Sequence, residues 1–154
     1  MKFKLLATAA CMTTAMLVGG HAAAQEKLTV WWGKGFYKAE DDALFAAIKK
    51  FEAKNPKIKI DLSLYAPQEM IPKSVAAMDA GNPPDVAYGD VYDFQVTAKW
   101  AFDGKLEDLS SIIDPINSKF EPRALSTTFL QNNANGKRAY YAFPVKQQTM
   151  HIQY

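Results

Sequence analysis

Short runs of alternating or β-branched hydrophobic residues predict the strands of this chain. Isoleucine and leucine occupy every second position of residues 57–64 with polar residues between them, so this strand has one apolar and one wet face, as at a sheet edge. Residues 28–32, Leu-Thr-Val-Trp-Trp, predict an earlier strand. Shorter strands are predicted at residues 86–88, 139–143 and 150–154.

Hydrophobic residues at helical spacing predict helices between these strands. Residues 39–54 carry three consecutive acids, 40–42, which favour a helix N-terminus, and an Asn-Pro pair follows their last apolar position. Residues 68–80 predict a second helix with Pro72 in its first turn. The buried stripe of that helix is predicted to be Ile71, Val75 and Met78. Shorter helices are predicted at residues 92–102, 106–115 and 122–130.

The alternation of strands and helices predicts an α/β fold with a mostly parallel sheet flanked by helices. Ligands of such sheets bind beyond the carboxyl ends of the strands. The loops expected to carry function are therefore residues 33–38, 66–68 and 89–92.

The first 24 residues have the three parts of a cleavable signal peptide. Two lysines precede an apolar stretch, residues 5–18, and three alanines, 22–24, supply a cleavage site before Gln25. A membrane anchor is the alternative, but a spanning helix needs about 20 apolar residues. Lipid attachment at Cys11 is a second alternative, although the residues before it lack the usual leucine. We therefore expect export to the periplasm and a mature region of residues 25–154.

The charge of the mature region is expected to be near zero. Without the two lysines of the first 24 residues, 16 basic residues balance 16 acidic ones. A neutral chain without basic runs argues against nucleic acid or an anionic membrane as a partner. Cys11 is the single cysteine, so the mature region has no disulfide, no thiol nucleophile and no cysteine metal site.

Several motifs follow one another in a set order along the mature region. The first strand and its glycine loop are followed by Lys-Phe-Glu-Ala-Lys-Asn-Pro at residues 50–56, Ala-Gly-Asn-Pro-Pro-Asp-Val at 80–86, Asp-Gly-Lys-Leu at 103–106, and Asn-Gly-Lys to Tyr-Ala-Phe-Pro at 135–144. In this order and spacing they resemble the extracellular solute-binding proteins of ABC importers, and within them the carbohydrate-binding, maltose-binding-protein-like branch.

The resemblance implies a periplasmic-binding-protein-like lobe that belongs to a bilobal clamp. A carbohydrate, either a sugar or a polyol, binds between the lobes, a hinge closes, and the closed form docks on ABC permease subunits in the membrane. We also expect a monomeric protein without a cofactor. Tyr154 falls near the first hinge crossing of this family, so residues 25–154 are expected to hold the N-terminal lobe, truncated near the hinge.

Side chains suited to stacking on sugars or hydrogen bonding their hydroxyls occur in and after the predicted strands. The candidate ligand contacts are Trp32, Lys34, Tyr37, Gln68, Asp90, Tyr92, Lys146, Gln147 and Gln148. Trp31 and Trp32 point to opposite faces of their strand, so one is expected in the core and the other at a ligand. The alternative for these positions is a solvated or packed side chain, and Asp90 is also suited to cap a helix. Asp85 is expected to have a structural role in its turn.

The competing interpretations are an enzyme, a sensor lobe, a binder of a non-sugar solute and a metal-binding protein. No Gly-x-Ser-x-Gly elbow occurs and no serine is marked as a partner for His151, so we expect no catalytic residues. Paired carboxylates of a glycan-active enzyme stay an alternative. Tyr140 and Tyr141 resemble the tyrosines with which related exported proteins hold ferric iron, but their place in a predicted strand favours packing. The single mature histidine makes no zinc site, and no metal is expected.

Overall fold

The computed structural model describes residues 25–145. The strands are β1 (Glu26–Gly33), β2 (Ile58–Tyr65), β3 (Val86–Tyr88), β4 (Phe129–Asn132) and β5 (Lys137–Tyr140). The α-helices are α1 (Lys38–Lys54), α2 (Pro67–Asp79), α3 (Ala98–Phe102), α4 (Ser110–Ile113) and α5 (Pro122–Ser126). A π-helical turn, Asp93–Thr97, precedes α3, and a 3-10 helix, Asp114–Lys119, follows α4. No helix in this part of the chain is long and apolar enough to cross a membrane.

A parallel sheet with the strand order β2-β1-β3 forms the centre of the fold. β1 pairs with β2 along its whole length, from Glu26 opposite Ile58 to Gly33 opposite Tyr65. The predicted α/β class is confirmed. The predicted edge position of residues 57–64 is also confirmed within the described sheet, because β2 pairs on one side only. Lys59 and Asp61 on its polar face are exposed, whereas Ser63 is half-buried.

The two crossover connections put α1 and α2 on opposite faces of this sheet. The chain moves from β1 to β2 in one direction and then past β1 to β3 in the other, and right-handed crossovers in opposite directions use opposite faces. On the α2 face lies a buried cluster of Met70, Tyr92, Val96 and Trp100. Trp31 of β1 and Tyr65 of β2 pack against this cluster, so the core supports the carboxyl ends of both strands.

Helix α2 differs from its prediction in register and in its buried face. It begins at Pro67, and Pro72 lies in its second turn, so the prediction of a first-turn position was wrong. The two buried residues of the helix are Met70 and Ser74, at 1% and 3% exposure. The predicted stripe is only partly buried and packs against the cluster from the side; it consists of Ile71, Val75 and Met78. A serine takes the inner position because its hydroxyl has a partner there, as described below.

The second half of the described chain contains a hairpin that the hydrophobic pattern did not predict. Helix α5 ends at Ser126, and β4 pairs antiparallel with β5, so the prediction of a helix over residues 122–130 was wrong at its carboxyl end. The predicted Asn135-Gly136 turn connects the two strands of this hairpin, and residues 129–132 form a strand by pairing with β5. The predicted helix over residues 92–102 is divided into the π-helical turn and α3.

Hydrogen bonds connect Asp85, the residue before β3, to the middle of β1. The backbone N–H and the hydroxyl of Thr29 both donate to Asp85 Oδ2 at 2.7 Å, and the Asp85 N–H donates to Thr29 Oγ1 at 3.0 Å. The hydrogen bonds from the Thr29 hydroxyl and N–H hold the pKa of the Asp85 carboxyl below its usual value. The structural role expected of Asp85 is therefore confirmed, but its bonds reach across to β1 instead of staying within its turn.

Candidate functional site

The carboxyl ends of the three parallel strands meet at one edge of the sheet. β1 ends at Gly33, β2 at Tyr65 and β3 at Tyr88, and the chain enters a loop after each. In parallel sheets this edge is where ligands bind. The structure therefore brings together the three loops that the sequence indicated.

An aromatic pair occupies this edge. Trp32 of β1 lies opposite Tyr88 of β3 in the sheet register, and their rings stack with centroids 4.3 Å apart and planes 28° from parallel. Both side chains are half-buried. The Tyr88 hydroxyl donates to Asp90 Oδ1 at 2.5 Å. Burial, followed by the hydrogen bond to Asp90, raises the pKa of Tyr88, so Tyr88 stays protonated and acts as the donor.

The carboxylate of Asp90 is held at one oxygen and open at the other. Oδ1 accepts from Tyr88, whereas within residues 25–145 Oδ2 accepts no hydrogen bond. Asp90 is itself half-buried. An oriented acceptor beside a stacked aromatic pair is an arrangement that suits a hydroxyl-bearing ring, since such a ring offers both an apolar face and hydroxyl donors.

Two hydrogen bonds connect the loop after β1 to the first turn of α1. Gly35 N–H donates to Asp41 Oδ1 and Phe36 N–H donates to Glu40 Oε2, both at 3.0 Å. A Cβ on Gly35 would lie 2.5 Å from Glu40 Cβ, an atom that a rotation of the Glu40 side chain does not move away, so this close approach requires glycine. Sequence reasoning assigned these acids to the helix dipole and missed their bonds to the loop, although an acid-rich first turn after a glycine loop was a usable signal.

Lys34 and Tyr37 lie on the same loop, and their side chains are exposed. Lys34 N–H donates to the Tyr65 carbonyl at 2.9 Å, which continues the β1–β2 pairing by one residue. The ring of Tyr37 is 73% exposed. Gln68 lies in the first turn of α2 and is also exposed. In the same turn Glu69 Oε2 accepts from the Ala66 N–H at 3.1 Å. These three candidates lie on the first two loops of the edge and are open to solvent.

Tyr92 is placed differently from the other candidates. Its side chain is 9% exposed, and its ring meets Trp100 edge-on with centroids 5.9 Å apart. Its hydroxyl is hydrogen bonded to Ser74 and donates more weakly to the Met70 carbonyl at 3.5 Å. Burial raises the pKa of Tyr92. Tyr92 thus belongs to the core beneath the third loop, and a direct contact with ligand stays a prediction.

The two tryptophans divide between the faces of the sheet. Trp31 packs against the buried cluster on the α2 face and meets Tyr65 edge-on at 5.3 Å. Trp32 lies on the other face with Tyr88. The expectation that one tryptophan packs in the core agrees with the position of Trp31.

Several candidates lie outside the described residues. These are the signal peptide of residues 1–24, His151, and the ligand candidates Lys146, Gln147 and Gln148. Within residues 25–145, no group of three histidine, cysteine, aspartate or glutamate side chains is arranged to hold a metal ion. Tyr140 stacks at an angle on Phe129 at 5.0 Å, and Tyr141 is 4% exposed in a cluster with Ala101 and Ala139, so both rings pack as the sequence indicated.

Solved structures similar to this chain include solute-binding proteins with sugars. An ABC transporter solute-binding protein from Thermotoga lettingae, bound with α-D-tagatose, is 27% identical over 67% of this chain, with a TM-score of 0.57. A periplasmic oligogalacturonide-binding protein from Yersinia enterocolitica is 18% identical over 70% of this chain, with a TM-score of 0.55. A de novo designed cysteine esterase is 16% identical over 71% of this chain, with a TM-score of 0.53. The last two, at such low identity, show the shared fold alone.

This chain spans about a quarter of the length of those structures, between 25% and 26%. No curated protein sequence matches it. The family model described as bacterial extracellular solute-binding protein matches residues 46–154. These residues cover most of the chain, including β2, β3, the Asp90 loop and the hairpin. The chain therefore belongs to the bacterial extracellular solute-binding protein family.

Proposed function

We propose that this chain is the N-terminal lobe of the periplasmic substrate-binding component of an ABC transporter. Its edge loops form one wall of a cleft that binds a carbohydrate, and the loaded protein delivers the ligand to membrane permease subunits. Residues 1–24 direct export and are removed, and the protein acts as a monomer without a cofactor. Membership of the extracellular solute-binding family and a 27% identical relative bound with tagatose support this proposal.

The observation that carries the proposal is the stacked Trp32–Tyr88 pair with Asp90 bonded to Tyr88. A pyranose or furanose ring offers an apolar face to an aromatic ring and hydroxyl donors to a carboxylate. Asp90 Oδ2 and the exposed side chains of Lys34, Tyr37 and Gln68 lie on the segments that follow the three strands, and they are the further ligand contacts of the proposed site. Lys146, Gln147 and Gln148 would add donors from the hinge side.

The test is calorimetric titration of the complete protein with a panel of neutral mono- and oligosaccharides and polyols. For the sugar that binds, Trp32→Ala is expected to weaken affinity about tenfold through loss of stacking. Asp90→Asn is expected to weaken affinity about threefold to tenfold, because a charged acceptor becomes a neutral one. Phe102→Ala removes an aromatic ring that is 48% exposed at the carboxyl end of α3, and serves as the matched control with unchanged affinity.

Two outcomes would contradict the proposal. Steady formation of product from the bound sugar would identify a glycan-active enzyme or hydrolase instead of a binding protein. Binding that is unaffected by Trp32→Ala and Asp90→Asn would mean that the ligand binds elsewhere than at this edge of the sheet.

A further inference from the structure

A hydrogen bond between two buried hydroxyls connects α2 to the loop after β3. Ser74 Oγ and Tyr92 Oη are bonded to each other, and the two residues are 3% and 9% exposed. Ser74 belongs to the helix that follows β2, and Tyr92 ends the loop that follows β3. The bond therefore joins two of the three segments that form the candidate site.

Each of these hydroxyls depends on the other for its hydrogen bonding. A buried hydroxyl without a partner is costly, so serine at a buried position of an amphipathic helix needs a reason. The alternative partner of Tyr92 is the Met70 carbonyl, and at 3.5 Å that bond is long and weak. The Ser74–Tyr92 bond is thus the main polar attachment of the phenol inside the core.

Tyr92 in turn fixes the turn that carries Asp90. Its backbone N–H donates to the Gly89 carbonyl at 3.2 Å, which closes a four-residue turn over residues 89–92. Its ring lies so close to Gly89 that a Cβ there would be 2.8 Å from Tyr92 Cε1. Its carbonyl accepts from the Thr97 hydroxyl at 2.9 Å. Tyr92 is therefore held at its ring, its N–H and its carbonyl.

We propose that Ser74 and Tyr92 are positioning residues for Asp90. This inference rests on the proposed function and adds to it a role of the pair that requires no contact between the pair and the ligand. Their bond anchors the ring on which the 89–92 turn lies, and the anchored turn keeps Asp90 Oδ1 on Tyr88 and Oδ2 directed to the ligand. A turn ordered before binding spares the ligand the entropic cost of ordering it.

The test compares Ser74→Ala, Tyr92→Phe and the double variant in the complete protein. Ser74→Ala leaves the Tyr92 hydroxyl buried with a weak partner and is expected to lower both stability and sugar affinity. The double variant also removes that unsatisfied hydroxyl, so its stability is expected to recover toward the wild type, since removal of both partners is nearly neutral. Its sugar affinity is expected to stay about fivefold below the wild type, because the bond between the segments is still absent.

The control is Thr128→Val, which removes another buried hydroxyl of the same chain. Thr128 is 6% exposed, and its hydroxyl donates to the Leu125 carbonyl at 3.0 Å, within α5 and the residues that follow it. This variant is expected to lower stability and leave sugar affinity unchanged. Affinity of the double variant that recovers together with its stability would reduce the pair to a purely structural role and overturn the proposal.

A second readout needs no ligand. Hydrogen exchange of the Tyr92 amide, which closes the turn, is expected to be about fivefold faster in Ser74→Ala and in the double variant than in the wild type. Unchanged exchange in both variants overturns the positioning role whether or not a sugar binds. A wild-type protein that binds no carbohydrate overturns the proposed function instead, and the exchange result still decides the role of the pair.

Discussion

Replacement of Asp85 by alanine removes the acceptor that joins β3 to β1. Two hydrogen bonds from Thr29 end on the same carboxylate oxygen, both at 2.7 Å. Hydrogen bonds to a charged group contribute about 1.5–3 kcal/mol each when buried. Asp85 is exposed, and solvent screening reduces each contribution to about 1 kcal/mol. We therefore expect Asp85→Ala to lower the free energy of unfolding by about 2 kcal/mol, and Asp85→Asn, which keeps an acceptor oxygen, by about 1 kcal/mol.

The assay is urea unfolding at pH 7, followed by tryptophan fluorescence. The matched control is Asp61→Asn, the same chemical change at a surface carboxylate that pairs with Lys27 at 2.8 Å. That exposed pair contributes little, so the control is expected to shift the free energy of unfolding by less than about 0.5 kcal/mol. Equal effects of Asp85→Asn and Asp61→Asn would refute the reasoning, since the Thr29 bonds would then add nothing.

The same carboxylate predicts a dependence on pH. The Thr29 bonds hold the pKa of Asp85 in the folded protein below the unfolded value of about 3.9. Its stabilisation is therefore complete above the unfolded pKa and is lost as the pH falls through the folded pKa. The difference in free energy of unfolding between wild type and Asp85→Asn should shrink as the pH falls below about 4. A difference that stays constant down to pH values at which all carboxylates are protonated would contradict this.

Two further pairs of substitutions test packing beneath the site. Gly89→Ala places a Cβ 2.8 Å from the Tyr92 ring. It is expected to lower the free energy of unfolding by about 1–3 kcal/mol and to weaken sugar binding in calorimetry. Gly33→Ala is expected to lower the free energy of unfolding less, because its Cβ stays at least 3.4 Å from its neighbours. Met70→Ala empties a position that is 1% exposed and is expected to lower the free energy of unfolding in urea by about 2–5 kcal/mol, more than Met78→Ala at a partly buried position. Equal losses within either pair would count against the packing described.

The sequence predicts which loops form the candidate site, but it predicts less well which side chains of those loops interact. Trp32, Lys34, Tyr37, Gln68 and Asp90 lie on the strand ends and loops that strand order predicts, because parallel strands bring their carboxyl ends to one edge. Their roles as ligand contacts stay predictions.

Tyr88, the ring that stacks on Trp32, is not among the candidates that the sequence indicates, because residues 86–88 predict only a short strand. Its partnership with Trp32 depends on which two strands are neighbours, and β1 and β3 are more than 50 residues apart in the sequence. A rule that aromatic residues at equivalent strand ends meet across the sheet would have found it. The acids of the first turn of α1 were similarly assigned to the helix alone, because their bonds to the glycine loop require the folded turn.

The sequence by itself determined the α/β class, the edge position of β2 and the loops that carry the site, because hydrophobic periodicity is a local property of the chain. Tertiary structure decided which residues of those elements are buried and bonded. Ser74 is buried because a tyrosine 18 residues later reaches its hydroxyl. Residues 129–132 are a strand because a turn brings β5 beside them. Each of these outcomes depends on a partner outside the element concerned, and a hydrogen bond or a packed ring contributes its energy only when that partner is in place.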